Sequence, residues 1–156
     1  MFDGGLYMLL ITSDPRDEVY RDVIDKAFKY CDEFILVVRK DLSLSSQAKL
    51  VLSSLSNSLI EISEQFEWPG TMLGGGESAI VNYFKTDNHA KKILKEVSNS
   101  LHSWVQPDLP EDLSFIKGNN LWLVNTSHES ESYFVTEEKE DLEEILGIRN
   151  LQIKQK

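Results

Sequence analysis

The chain has 156 residues, 41% of them hydrophobic, and a net charge of −10 at pH 7. This composition excludes a fibrous or disordered chain, and the length suits one domain with its own core. The one cysteine, Cys31, excludes an intramolecular disulfide and a cysteine-rich zinc site. We therefore expect one domain over residues 1–148 and a frayed tail over residues 149–156.

The segment from Val105 to Gly147 holds most of the negative charge. Its eleven acidic residues and two lysines give −9, which leaves only −1 of the −10 for the rest of the chain. Nucleic acids and anionic membranes bind basic surfaces, so neither is expected as a direct partner. The charge favours a basic protein partner, although an acidic surface also keeps a protein soluble.

The first apolar run, Leu6 to Ile11, is only six residues long. It has neither a basic leader nor a small-residue cleavage site, so it does not fit a signal peptide, and it is too short to span a membrane. A single cysteine also fits a reducing compartment. We therefore expect a cytoplasmic protein without a membrane segment.

The first third of the chain predicts a strand, a helix and a strand. Leu6 to Thr12 is a short apolar strand, and Asp14-Pro15 supplies an N-cap and a first-turn proline for the helix. Phe34 to Val38 is an unbroken apolar run, which predicts a central strand covered on both faces. The helix between them has one apolar stripe, formed by Tyr20, Val23, Ile24, Ala27, Phe28 and Cys31.

The middle of the chain predicts a second helix and two half-buried strands. The helix is capped by serines from Ser43 to Ser46 and ends near Asn57-Ser58. The Pro69-to-Glu77 loop between the strands contains three consecutive glycines, which indicate a flexible hairpin because no helix follows them to hold a phosphate. The apolar residues that alternate with polar ones are Ile60, Ile62, Phe66 and Trp68 in one strand, and Ala79, Val81 and Tyr83 in the next.

The third helix should start at the cap Asp87 and continue until Pro107 stops it. A hairpin follows, turning at Gly118-Asn119-Asn120, and Tyr133 to Val135 adds a strand. Thr136 should cap the last helix, which ends at the glycine after Leu146. Together these elements predict an α+β domain, with a mixed or largely antiparallel sheet and about four helices packed on it.

The sequence predicts no metal site and no cofactor. The three histidines, His89, His102 and His128, show no metal-ligand spacing, and Cys31 is far from all of them along the chain. We therefore predict that the protein binds no zinc, nucleotide or nucleic acid.

His128 and Glu129 form a candidate polar site in a loop. A histidine beside a carboxylate can perform general acid-base chemistry, although no nucleophile can be named and a surface pair explains these two residues as well. With Asp108, Glu111 and Asp112 they support one hypothesis, a small enzyme of unknown reaction.

The other hypothesis is a protein-binding module, such as an immunity or antitoxin-like inhibitor of a basic protein. The last helix should turn one acidic side to solvent. Its Glu140 and Glu144 stand one turn apart, and a basic partner would offset their repulsion. Trp68 and Trp104 lie beside proline-containing loops, where partial exposure would let them contact a partner. The partner-binding residues predicted are Glu137, Glu140, Asp141, Glu144, Asp108, Glu111, Asp112, Trp68 and Trp104.

Several motifs together resemble a small, uncharacterised bacterial family that is often labelled stage III sporulation protein AH. The resemblance extends over most of the chain and implies no particular activity. The motifs are Ile11-Thr12-Ser13-Asp14-Pro15-Arg16, Phe34-Ile35-Leu36-Val37-Val38-Arg39, Trp68-Pro69-Gly70-Thr71, Gln106-Pro107-Asp108-Leu109-Pro110-Glu111-Asp112-Leu113, Trp122-Leu123-Val124 and His128-Glu129.

Overall fold

The computed structural model describes residues 5–156. The strands are β1 (Tyr7–Ile11), β2 (Glu33–Arg39), β3 (Leu59–Gln65), β4 (Glu67–Trp68), β5 (Thr71–Met72), β6 (Ala79–Lys85), β7 (Glu111–Lys117), β8 (Asn120–Thr126), β9 (Glu131–Thr136) and β10 (Ile153–Gln155). The α-helices are α1 (Glu18–Tyr30), α2 (Ser46–Ser54), α3 (Asn88–Val97) and α4 (Lys139–Leu146).

Eight of the strands form one sheet, in the order β10-β1-β9-β8-β7-β2-β6-β3. The pairings between neighbours are antiparallel. The apolar run predicted as a central strand is β2, which lies inside the sheet between β7 and β6, and residues 34–37 are fully buried. The predicted α+β class with a largely antiparallel sheet is therefore confirmed.

The larger hydrophobic core joins α1 and α3 to one face of the sheet. The predicted stripe of α1 is buried at Tyr20, Val23, Ile24 and Ala27. The Tyr20 hydroxyl donates a 2.6 Å hydrogen bond to the Leu94 carbonyl of α3 and accepts one from Trp104 Nε1 at 3.1 Å. These bonds satisfy the polar atoms of two large buried side chains, which would otherwise be costly to bury.

A smaller core lies on the other face of the sheet. Ile35 and Val37 of β2 pack there with Trp68 of the β4–β5 hairpin and with Ala79 and Val81 of β6. Successive residues of a strand point to opposite faces, so β2 contributes to both cores. The hairpin thus takes the place of a helical layer on this face.

Several helix boundaries differ from the sequence prediction, including the start of α4 at Lys139, where Glu138 rather than Thr136 is the N-cap residue. α1 begins at Glu18, because the carboxylate of Asp14 instead accepts the backbone N–H of His102. α3 ends at Val97, ten residues before Pro107, because the Ser98 side chain bonds to the backbone of Ser100 and so competes with the helix. Among the described residues, none of the helices is long and apolar enough to cross a lipid bilayer.

The predicted burial of the β3 side chains is wrong. Ile60 and Ile62 are 48% and 58% exposed, and Phe66 is 55% exposed. β3 is an edge strand, and one extra residue between Leu59 and Glu61 breaks its alternation. Ile60 and Ile62 of this strand therefore face outward, whereas Leu59 still packs against the larger core.

The predicted frayed tail over residues 149–156 is also wrong. Residues Ile153–Gln155 form β10, which pairs with β1. The Thr12 N–H donates to the Gln152 carbonyl at 2.8 Å, so the contact begins before the strand itself. The last residues therefore complete the sheet beside β1.

The hairpin needs glycine at position 70. Gly70 has a φ of +83°, and a Cβ there would overlap the Thr126 side chain. We predict that Gly70→Ala lowers the free energy of unfolding by about 1–3 kcal/mol, because it adds both backbone strain and a steric overlap. Urea denaturation measures this change.

Gly75→Ala is the matched control. Gly75 also has a positive φ, of +68°, but a Cβ there meets nothing within 4 Å. Backbone strain alone should cost about 1 kcal/mol. Equal losses for the two variants would show that the hairpin does not pack closely on Thr126.

Candidate functional site

A β-bulge brings two neighbouring carboxylates together in β7. Between Ile35 and Val37 of β2, the facing strand β7 carries one extra residue, and Asp112 has a φ of +58°. A regular strand would send Glu111 and Asp112 to opposite faces. Both carboxylates instead lie close to the ring of His128.

Three donors hold the Asp112 carboxylate. Trp68 Nε1 donates to Oδ2 at 2.9 Å, and the Ser127 N–H donates to Oδ1 at 2.8 Å. His128 Nδ1 lies 3.2 Å from Oδ1. The side chain of Asp112 is fully buried, so these contacts replace its hydration.

Glu111 is held by only one of its two oxygens. The Gln106 N–H donates to Oε1 at 3.3 Å, whereas Oε2 has no hydrogen bond and lies 3.4 Å from His128 Nδ1. The Glu111 side chain is also fully buried. A buried carboxylate oxygen without a donor is rare in folded proteins.

Burial raises the pKa of both carboxyl groups. For Glu111 the neighbouring charge of Asp112 adds to the effect of burial, whereas the Gln106 N–H, His128 and Arg39 lower its pKa. For Asp112 the hydrogen bond from Trp68 and the charge of His128 oppose burial without cancelling it. The negative charge of the cluster is therefore energetically unfavourable, and a proton or another cation would stabilise it.

A second, partly buried histidine lies between an acid and a serine. His102 Nδ1 is 3.7 Å from Asp14 Oδ1, and Nε2 is 2.8 Å from Ser132 Oγ. Burial lowers the pKa of His102, and the charge of Asp14 opposes this. Hydrolases use the same order of groups, but the Ser132 side chain is fully buried and cannot attack a substrate. This trio joins β9 to the loop between β1 and α1.

The acidic residues of α4 do not all face solvent. Asp141 is buried and bonds to Lys117 Nζ at 2.8 Å, and Glu144 bonds to Lys26 Nζ at 2.8 Å and to the Tyr30 hydroxyl at 2.7 Å. The hydrogen bonds from Lys26 and Tyr30 lower the pKa of Glu144. The sequence predicts that Glu137, Glu140, Asp141 and Glu144 form one solvent-exposed face of the last helix. This prediction is wrong for Asp141.

The acidic surface that remains is still large. Seven of the eleven acids in the Val105–Gly147 segment are exposed, namely Asp108, Glu129, Glu131, Glu137, Glu138, Glu140 and Glu143. Beside α4 an open groove of about 640 Å³ has an apolar wall that includes Leu121, Trp122 and Val135. The carboxylates that line it are Asp32, Glu137, Glu138 and Asp141, and the one lysine is Lys117.

The remaining predicted site residues fall in different places. Glu111 and Asp112 are buried rather than on a partner-binding surface. Trp68 and Trp104 are buried as well, so their predicted partial exposure is wrong. Glu129 is exposed, and its Oε1 lies 3.9 Å from His128 Nε2.

No protein-family model, curated protein or solved structure matches this chain. The resemblance to the family labelled stage III sporulation protein AH therefore stays a prediction.

His128 and Glu129 should contribute differently to stability. His128→Ala removes the imidazole that lies against both buried carboxylates, and we expect a loss of about 2 kcal/mol in the free energy of unfolding at pH 7. Glu129→Ala, at an exposed neighbour, should cost less than about 0.5 kcal/mol. Chemical denaturation of both variants measures the difference, and two equally small losses would show that His128 does not stabilise the cluster.

Proposed function

We propose that this chain is a cytoplasmic module that binds a basic protein through the groove beside α4. An immunity or antitoxin-like inhibitor of such a protein is the most concrete form of this function. The observation that supports it is the pairing of an apolar wall with four carboxylates in one open groove.

A lysine or arginine side chain suits this groove chemically. Its aliphatic stem can pack on Leu121 and Val135, while its charged end reaches the carboxylates of Glu137 and Glu138. Lys117 is already neutralised by Asp141 and Glu138. The charge that remains in the groove is therefore negative.

The exposed acids around the groove extend the same charge over a wider surface. A negative surface of this kind raises the association rate of a basic partner and gives the encounter a preferred orientation. It also repels the phosphates of nucleic acids and anionic lipids, so neither belongs to the proposed partners.

The alternative is a small enzyme that uses the Glu111–Asp112–His128 cluster. Its supporting observation is that the three residues, predicted from separate parts of the sequence, lie together. However, none of them lines the groove beside α4. Glu111 and Asp112 are buried, and Asp108 has no contact with them among the hydrogen bonds and ion pairs of the described residues. We therefore favour the binding function over the enzymatic one.

The test is the triple variant Glu137→Lys, Glu140→Lys and Glu143→Lys. All three residues are exposed, unlike Asp141, and none forms an ion pair within the described chain. A basic protein captured from the native host by the wild-type protein should associate with the variant about 10-fold more slowly or worse. Stopped-flow association at low and high salt measures this, and the wild-type rate should fall as salt increases.

Glu61→Lys, Glu67→Lys and Glu77→Lys provide the matched control. These exposed glutamates lie on β3 and around the β4–β5 hairpin, and their replacement changes the net charge by the same amount. The control should keep the larger part of the wild-type rate. If both triple variants slow association equally, the association rate depends only on the net charge of the protein, and the groove is not the binding site.

A further inference from the structure

We propose that Glu111, Asp112 and His128 bind one divalent first-row transition-metal ion, with zinc as the reference ion. The three residues lie where β7 begins and where β8 ends. This function goes beyond the proposed binding of a basic protein, because it uses a different part of the molecule.

The distances between the donor atoms fit a tetrahedral ion. One ligand atom from each residue lies within 4.8 Å of the other two. His128 Nδ1 is 3.4 Å from Glu111 Oε2 and 3.2 Å from Asp112 Oδ2. Ligands at about 2.0–2.2 Å from zinc stand about 3.3–3.6 Å apart in a tetrahedron. Two of the three donor pairs are therefore close to the spacing that an ion requires.

The unpaired oxygen of Glu111 is an independent indication of a cation. The Glu111 side chain is fully buried, and its Oε2 has no hydrogen-bond partner although it faces His128 Nδ1. If the imidazole carries a proton on Nδ1, that single N–H can point fully at only one of the surrounding oxygens. A coordinated ion would instead contact both carboxylates and the nitrogen at once.

Hydrogen bonds from surrounding residues orient the two carboxylates. In metal sites, contacts outside the coordination sphere orient the ligands in the same way. Trp68 Nε1 and the Ser127 N–H orient Asp112, and the Gln106 N–H holds Oε1 of Glu111. Glu129 lies 3.9 Å from the other ring nitrogen of His128. Carboxylates beside the second nitrogen commonly set the tautomer of a ligating histidine.

The donor set decides the class of ion. Calcium and magnesium prefer six or more oxygen ligands, whereas one imidazole and two carboxylates suit zinc, manganese or iron(II). Three protein donors also leave one tetrahedral position for water or another ligand. His128 has 21% of its side chain exposed, which gives an ion a path from solvent. Two carboxylates would balance the charge of one divalent ion, with Arg39 as an additional positive group nearby.

This inference opposes our prediction from the sequence that the protein binds no zinc, and one experiment decides between them. Chelator-treated full-length protein is titrated at pH 7.5 with ZnCl₂ by calorimetry and with CoCl₂ by visible absorption. We expect saturable binding of one ion per chain and the intense visible bands of four-coordinate cobalt. Glu111→Gln and His128→Asn should each lower the zinc affinity about 100-fold or more, and Trp68→Phe, which removes only an outer donor, about 10–100-fold.

His89→Asn is the matched control, because His89 is exposed and its ring contacts the Ser54 carbonyl, away from the cluster. It should bind zinc like the wild type. Circular dichroism checks that each variant is folded, and the cobalt spectrum and stoichiometry of the wild type do not depend on any variant. Absence of saturable binding, a weak six-coordinate cobalt spectrum, or equal affinity in folded Glu111→Gln and His128→Asn would overturn the proposal.

Discussion

Two adjacent carboxylates are buried in an internal strand of the sheet, and the local structure is organised around them. Glu111 and Asp112 can approach the same histidine only because β7 bulges and Asp112 takes a left-handed conformation. Their contacts then fix Trp68, the Gln106 backbone and the turn at Ser127. Three other segments of the chain therefore meet at these two side chains, and the strained backbone is maintained by the contacts around it.

The cluster also continues into the core as a polar network. Ser114 Oγ donates to the Asp112 carbonyl and accepts the N–H of Asn125. The Asn125 amide in turn donates to the Leu101 carbonyl and to Ser127 Oγ. Such networks favour one arrangement of the core, because any shift leaves buried polar groups unpaired. The short 3-10 helix Leu101–Ser103, which follows α3, is thereby connected to β7, which carries the carboxylates, and to β8.

Periodicity predicted the parts of the fold that depend on local pattern, such as the buried stripe of α1 and the strand β2. It could not predict the cluster, because a bulge leaves no regular signal and residues 111 and 112 should alternate between faces. Periodicity also cannot predict ion pairs between residues that are distant in sequence. Glu144, for example, bonds to Lys26, 118 positions away. α3 ends at Val97 because of a hydrogen bond of the Ser98 side chain. The spacing of apolar residues does not predict such a bond.

The acidic segment separates into an inward and an outward group. Glu111, Asp112 and Asp141 are buried, and Asp141 neutralises Lys117 within the chain. The repulsion between Glu140 and Glu144, which suggested a basic partner, is already offset by Lys26. The case for a partner therefore cannot rest on strain within α4. It rests on the exposed acids that have no ion pair in the described chain and on the apolar wall beside them, since together they match a basic side chain with an aliphatic stem.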